Sequence, residues 1–242
     1  MCLIIGILAG LLVPALGRGK TAAISARCRS NLHQLGLGLA IYVDDYGLYP
    51  SPDPDWWVVM SHLVDLPARD RGVLRCPSTA GSASTAPDGT RFLPQQRPYG
   101  YNLSGYRSAT DLTVHENFGL GATPAINGAS AHLTGESDVR VPSQMLAIGD
   151  AFGLVPKSTG VVTADTVMVT GDVMLRNERI SLSGGPALNQ AVDQASARHR
   201  EHANVVLCDG HTETVAFKKL FLDKSYDSLA RWNKDHEPHR FN

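Results

Sequence analysis

His199 precedes the dipeptide Asp209-Gly210 by ten positions, and His211 follows it directly. The run ARHREHANVVLCDGHTETVAF therefore sets imidazole and carboxylate groups close together in the chain. With Asp150, the residues His199, Asp209 and His211 are of the types that ligate Zn²⁺ or Ca²⁺. A structural reading of the same residues is the stronger one. An aspartate suits a turn position, and His199 can hydrogen-bond the backbone of a hairpin. His199-Arg200-Glu201-His202 is neither HExxH nor its inverted form, which argues against a metalloprotease. No G-x-S-x-G elbow is found for the serines to act from. No catalytic site is assigned, and the chain is read as a non-enzyme.

The elements that must position these residues are mostly strands. Residues 203–208 and 211–217 alternate in polarity, and Asp209-Gly210 between them predicts a type I′ hairpin with φ > 0 at both positions. VRVPSQMLAIGDA at 139–151 predicts a turn into a buried strand, Met145–Ile148, closing on Gly149-Asp150. YGYN at 99–102 reads as a short strand with Tyr99 and Tyr101 on one face. Residues 161–175 are β-rich, and 186–198 suggest a helical turn. Leu220, Leu222 and Leu229 suggest a terminal helix that frays before Pro238. WWVVMSHLV reads as a short helix, with Trp56 and Trp57 as core side chains rather than a ligand-stacking platform. Residues 76–89 and 116–135 are small, polar and glycine-rich, hence loops.

The N-terminal stretch is of another kind. Residues 1–16 carry no charge. A bilayer span takes roughly 20 residues and a signal-peptide core roughly 10–14, so this run lies between them. Beyond Arg18 and Lys20, the residues Ile24, Cys28, Leu32, Leu35, Leu39, Tyr42 and Tyr46 recur at helical spacing. Arg27, Arg29, Asn31, Gln34 and Asp45 mark the opposite face. The helix is expected to end near Gly47, with Pro50 and Pro52 beyond, and to kink at Pro14. Forty-six residues of helix make a rod of roughly 70 Å, far longer than a head of this size needs.

The net charge of −1 argues against nucleic acid as a partner. With 23 Gly and 14 Pro, the composition suits strands and loops. None of the four cysteines stands in a CxxC pair, which removes zinc-ribbon and thioredoxin-like motifs. If the head lies outside the cytoplasm one disulfide can form. Cys28–Cys76 is the candidate pair, because Cys2 sits in the apolar segment and Cys208 in a predicted strand.

IIGILAGLLVPAL followed by RCRSNLHQLGLGLAIYVDDYGLYP resembles the N-terminal region of type IV pilin-like proteins. It is closest to the type II secretion pseudopilin-like group with prepilin-type N-terminal cleavage and methylation. Residues 4–50 carry the resemblance almost continuously. Cys76-Pro77 followed by YGYN, and the PS…L…D segment ending at Asp150, are similar to the group as well. So is its C-terminal H-X9-DG motif, which Arg198, His199, Ala203, Asn204, Asp209, Gly210 and His211 match. The family opens with a basic leader and a Gly-Phe-Thr-Leu-Ile-Glu site. This chain has neither, so it is expected to start inside the family pattern.

The resemblance implies an α+β pilin-like fold: a long helix over residues 1–46 packed on the antiparallel sheet of a head, 47–242. It implies a structural subunit of a type II secretion or type IV pilus-like filament, not an enzyme. Its partners would be other pilin-like subunits through the helix, the secretion machinery and the membrane. The head would lie outside a single-pass inner-membrane anchor in the cell envelope. Arg18, Lys20, Arg27 and Arg29 alone would point to the cytoplasm; the resemblance places them outside. Pseudopilin heads are known for calcium sites, which keeps Ca²⁺ beside Zn²⁺ as a candidate ion; no other cofactor is implied. One rival reading is a secreted or periplasmic binding module with a signal segment. The other is a metal-dependent hydrolase built on His199, Asp209 and His211.

Overall fold

Helix α1 spans Cys2–Tyr46 and runs on through Pro14. Its end follows from Gly47, which takes φ 68° and donates its N–H to the Val43 carbonyl at 2.7 Å. Glycine holds that left-handed conformation without the Cβ clash that other residues meet. The structure, a computed structural model, describes residues 2–50, 56–63, 73, 76–79, 84–85, 91–92, 99–102, 105, 118–121, 132–150, 198–221 and 223–239. The segments 161–175 and 186–197, read above as β-rich and helical, lie outside the described residues.

The other elements, in chain order, are α2 (Trp56–Leu63), β1 (Ser84–Thr85), β2 (Arg91–Phe92), β3 (Tyr99–Tyr101), β4 (Leu146–Asp150), β5 (His202–Leu207), β6 (Thr212–Ala216), α3 (Phe217–Phe221) and α4 (Tyr226–Ala230). Strands β3-β4-β5-β6 form a four-stranded antiparallel sheet in that order. The fold is α+β, a long N-terminal helix with an antiparallel sheet. β1 and β2 pair separately as a two-residue ribbon, the first of them within the predicted 76–89 loop.

The second half of α1 lies on this sheet against β4, β5 and β6, with α2 alongside. Cys28, Leu32, Leu35, Leu39 and Val43 share one core with Trp56, Met60, Tyr99, Tyr101, Ile148 and Val206. Residue 46 is thus the end of a helix, not the edge of a core. Gly36 permits the approach: a Cβ there would sit 2.6 Å from Val206 Cγ2 and 3.2 Å from the Gly210 carbonyl. Two stripe assignments change. Tyr46 is 63 % exposed, its ring resting on Tyr42, and Val43 takes the buried place in the last turn. Asn31, expected on the polar face, is buried. It borders the stripe between Cys28 and Leu32, and its side chain bonds the Tyr99 hydroxyl, which offsets the burial of a polar group.

Trp56 is buried and stacks on Tyr101 with ring centroids 5.5 Å apart, as a core side chain does. The side chain of Trp57 lies outside the described ones. The C-terminal stretch forms two short helices instead of one, and hydrogen bonds tie the chain beyond them to the sheet. Asn102 makes one tie: its buried amide donates to both the Leu146 and the Trp232 carbonyls at 2.8 Å. Leu146 N–H also donates to the Arg231 carbonyl. Residues 231 and 232 are thereby tied to β4, and Trp232 is buried.

The hairpin turn differs from the type I′ expectation. Asp209 is not among the residues with positive φ, whereas Gly210 takes φ 86°. Gly210 N–H donates to the Leu207 carbonyl, and Leu207 N–H donates to that of His211. This is a three-residue connection, a type I turn over Cys208 and Asp209 followed by a glycine bulge. Only glycine needs the left-handed region in it, so Asp209 is spared that strain.

Candidate functional site

The motif residues do not converge on one point. β5 lies between His199 and Asp209, and at roughly 3.3 Å per residue it holds the two ends of the motif well apart. Asp150 joins His199 at the first end, and Asp209 and His211 stand together at the second. The set of four weak metal candidates is therefore divided, and so is the hydrolase constellation of His199, Asp209 and His211.

At the first end, Asp150 closes β4 and is 3 % exposed. Its Oδ2 accepts the Asn204 backbone N–H at 2.7 Å and the Asn204 side-chain amide at 3.2 Å. Asn204 Oδ1 in turn accepts the Thr214 hydroxyl across the β5–β6 pairing. The carboxylate, not the imidazole, is what reaches the hairpin backbone; this corrects the role expected of His199. His199 Nε2 lies 3.4 Å from Asp150 Oδ2 instead. Burial pulls the Arg198 guanidinium down from its ordinary range, and the charges of Asp150 and Tyr99 act in the other direction.

The backbone that delivers His199 is unusual. His199, Arg200 and Glu201 all take left-handed φ, at 48°, 59° and 64°. For residues with a Cβ this costs about 1–2 kcal/mol each. Such strain persists where surrounding contacts over-determine it. Here the contacts are with Asp150 and with the turn Cys76–Thr79. His199 Nε2 is 3.5 Å from Cys76 Sγ and 3.4 Å from Ser78 Oγ. Cys76 and Cys28 form a disulfide with Cα atoms 5.2 Å apart, tying α1 to that turn. Cys76 and Ser78 are the neighbours of the histidine that the sequence does not predict. No spacing in the sequence links residues 76–78 to residue 199; only the sheet brings them together.

Ser78, His199 and Asp150 have the residue types of a nucleophilic triad but not its geometry. A triad needs the carboxylate on Nδ1 and the hydroxyl on Nε2. Here both partners face Nε2, so an imidazole oriented by Asp150 has no nitrogen left to take a proton from Ser78. Cys208 is equally unsuited to attack. Burial pushes its thiol up to about 12, with the Tyr49 hydrogen bond pulling down and the Asp209 charge adding to the rise. A thiol so high stays protonated at neutral pH.

At the second end, His211 Nδ1 meets Asp209 Oδ1 at 2.6 Å, and His211 Nε2 lies 3.4 Å from Glu213. Burial pushes the Glu213 carboxyl up, but the Arg231 guanidinium outweighs it and holds the group below its ordinary range. With both Asp209 oxygens turned to His211, few oxygens remain among the described residues for the six to eight that Ca²⁺ takes. The Asp209 hydrogen bond raises the His211 pKa, burial acts in the other direction, and the Glu213 carboxylate adds to the rise. A raised folded-state value means the pair's stabilisation is complete below the unfolded value of about 6.5 and is lost as pH climbs through the folded value. Asp209→Asn is expected to return the His211 titration towards about 6.5, read from its imidazole NMR signals. An unchanged titration would show that Asp209 does not hold the charge.

Compared with family models, with curated proteins and with solved structures, the chain matches none.

Proposed function

We propose that this chain is a structural subunit of a pilin-like filament of the type II secretion or type IV pilus kind. The apolar half of α1 would hold it at the inner membrane, with the head outside the cytoplasm. One observation carries this reading. Along α1, residues 12–23 are exposed throughout, and Leu12, Val13 and Leu16 show 60 %, 69 % and 62 % of their surface. A helix that continues for several turns past its own core, with apolar side chains outward, has a surface made for something other than water. The long helix on an antiparallel sheet agrees with the arrangement the sequence resemblance implies. A disulfide between Cys28 and Cys76 agrees with a head in an oxidising compartment.

Among the described residues no helix is long and apolar enough to cross a membrane. The reading therefore gives this half of α1 a second neighbour, the same half of other copies. Arg18 and Lys20 can extend their charged ends to the interface while their stems stay beside apolar groups. Packing between helices, rather than escape from water, would decide the assembly, because lipid tails are as apolar as leucine. Gly6, Gly10, Gly17 and Gly19 are small enough to let such helices approach closely.

Membrane fractionation tests the anchor. The full chain is expected to stay with membranes through an alkaline carbonate wash. Leu12→Lys with Leu16→Lys is expected to release most of it, since each lysine costs about 2.5–3.5 kcal/mol at the centre of a membrane-inserted helix. Wild-type chain found in the wash would contradict the anchor and favour a secreted binding module.

A further inference from the structure

The surroundings of the Cys28–Cys76 disulfide hold more than a structural cross-link needs. Cys28 Sγ, Cys76 Sγ and a ring nitrogen of His199 all lie within 4.8 Å of one another, and all three residues are buried. His199 Nε2 is 3.5 Å from Cys76 Sγ and 3.4 Å from Asp150 Oδ2. The second carboxylate oxygen, Asp150 Oδ1, is buried without a hydrogen-bond partner among the described residues. A buried oxygen of this kind is costly to leave unmatched, which points to a missing partner. The left-handed backbone at His199 adds a further cost for bringing the imidazole to this place.

We infer that, once the disulfide is reduced, this cluster binds one Zn²⁺ through Cys28 Sγ, Cys76 Sγ, His199 Nε2 and the Asp150 carboxylate. The inference is independent of the assembly reading. Tetrahedral Zn²⁺ takes sulfur at about 2.3 Å and nitrogen or oxygen at about 2.0–2.2 Å, so neighbouring ligand atoms stand roughly 3.3–3.8 Å apart. The Cys76 sulfur–nitrogen separation of 3.5 Å already meets that requirement. The two sulfurs must part, and the Asp150 carboxylate, which stands outside the 4.8 Å group of sulfurs and imidazole, must turn in as the fourth ligand. Asn204 holds the carboxylate through Oδ2, the supporting hydrogen bond that ligating carboxylates use, and Oδ1 is left to turn towards a metal. Two thiolates, a carboxylate and Zn²⁺ sum to one negative charge, and the Arg198 guanidinium already acts on Asp150.

The exchange balances. An external dithiol gives two electrons and two protons to the S–S bond and closes to its own disulfide. The chain then carries two thiols, and Zn²⁺ displaces their two protons to form two metal–sulfur bonds. The cross-link between α1 and the Cys76 turn is thus kept in either redox state, as a disulfide or as a metal bridge.

Cobalt substitution tests the site in the full chain in detergent, with Cys2→Ser and Cys208→Ser removing the other thiols. The disulfide is opened with a water-soluble phosphine, which leaves as its oxide. The reduced chain is expected to take up one Co²⁺, to show the thiolate-to-cobalt charge-transfer band, and to surrender the metal to Zn²⁺. His199→Ala and Asp150→Asn are each expected to weaken binding by at least the roughly 10–100-fold that losing a hydrogen-bonding partner of a ligand costs. The oxidised chain is expected to bind no metal here. Circular dichroism accompanies the titration, and if reduction loosens the fold, Zn²⁺ must restore the native spectrum. Absence of the thiolate–cobalt band would overturn the inference. So would unaltered affinity in both variants, equal binding by the oxidised chain, or a reduced chain that Zn²⁺ does not refold.

Discussion

Asp150→Ala is expected to destabilise the head by about 3–5 kcal/mol, lowering Tm on the order of 10 °C. The carboxylate is buried at the end of β4 and accepts both the backbone and the side-chain N–H of Asn204. Alanine removes that acceptor and leaves the donors inside the core unpaired, each at about 1–3 kcal/mol. The loss spreads, because Asn204 also positions Thr214 on β6, and because His199 and Arg198 lose the negative charge beside them. Asp150→Asn keeps one acceptor oxygen and is expected to lose less. Denaturant unfolding at neutral pH measures both. A change below about 1 kcal/mol for alanine would mean that the carboxylate is a bystander in the fold.

Removing the Cys28–Cys76 bridge in metal-free buffer is expected to have an effect of similar size. The bridge closes a loop with a sequence separation of 48 residues. Chain-entropy estimates for such a loop give about 4 kcal/mol. The bridge joins the middle of α1 to the turn under His199, so its loss frees the stretch between α1 and β3 in the unfolded chain. Cys28→Ser with Cys76→Ser should therefore lower the denaturant midpoint strongly, read by the same unfolding curves. A midpoint within about 1 kcal/mol of the parent would show that core packing alone fixes the position of α1.

The parts of this architecture that rest on local chemistry could be read from the sequence. Gly47 ends α1 because glycine alone takes that left-handed turn freely. The stripe through Cys28, Leu32, Leu35 and Leu39 faces the core because its spacing matches the helical period. The hairpin was legible as a hairpin, but its turn was not, since Asp-Gly suits both a type I′ loop and a type I turn with a glycine bulge. Asn102 looked like the end of a strand; its role as a tie to Trp232 depends on residues more than a hundred positions away. The site around His199 was half legible. Its motif includes His199 and Asn204 but also Asp209, Gly210 and His211, which stand at the other end of β5, and elimination among the cysteines arrives at the pair that is bonded. That the histidine stands beside both the bonded pair and Asp150 follows from sheet order and from a strained turn. Neither leaves a local pattern in the chain.

In-cell cross-linking tests most directly whether the outward apolar half of α1 is an assembly surface. Leu12→Cys and Leu16→Cys, placed together in a chain carrying Cys2→Ser and Cys208→Ser, leave the Cys28–Cys76 bridge intact. Mild oxidation of intact cells should then give a ladder of covalent multimers in the membrane fraction, whereas Tyr226→Cys on the exposed side of the head should give none. Monomers alone from the α1 cysteines, with the chain recovered in the soluble fraction, would contradict the filament reading.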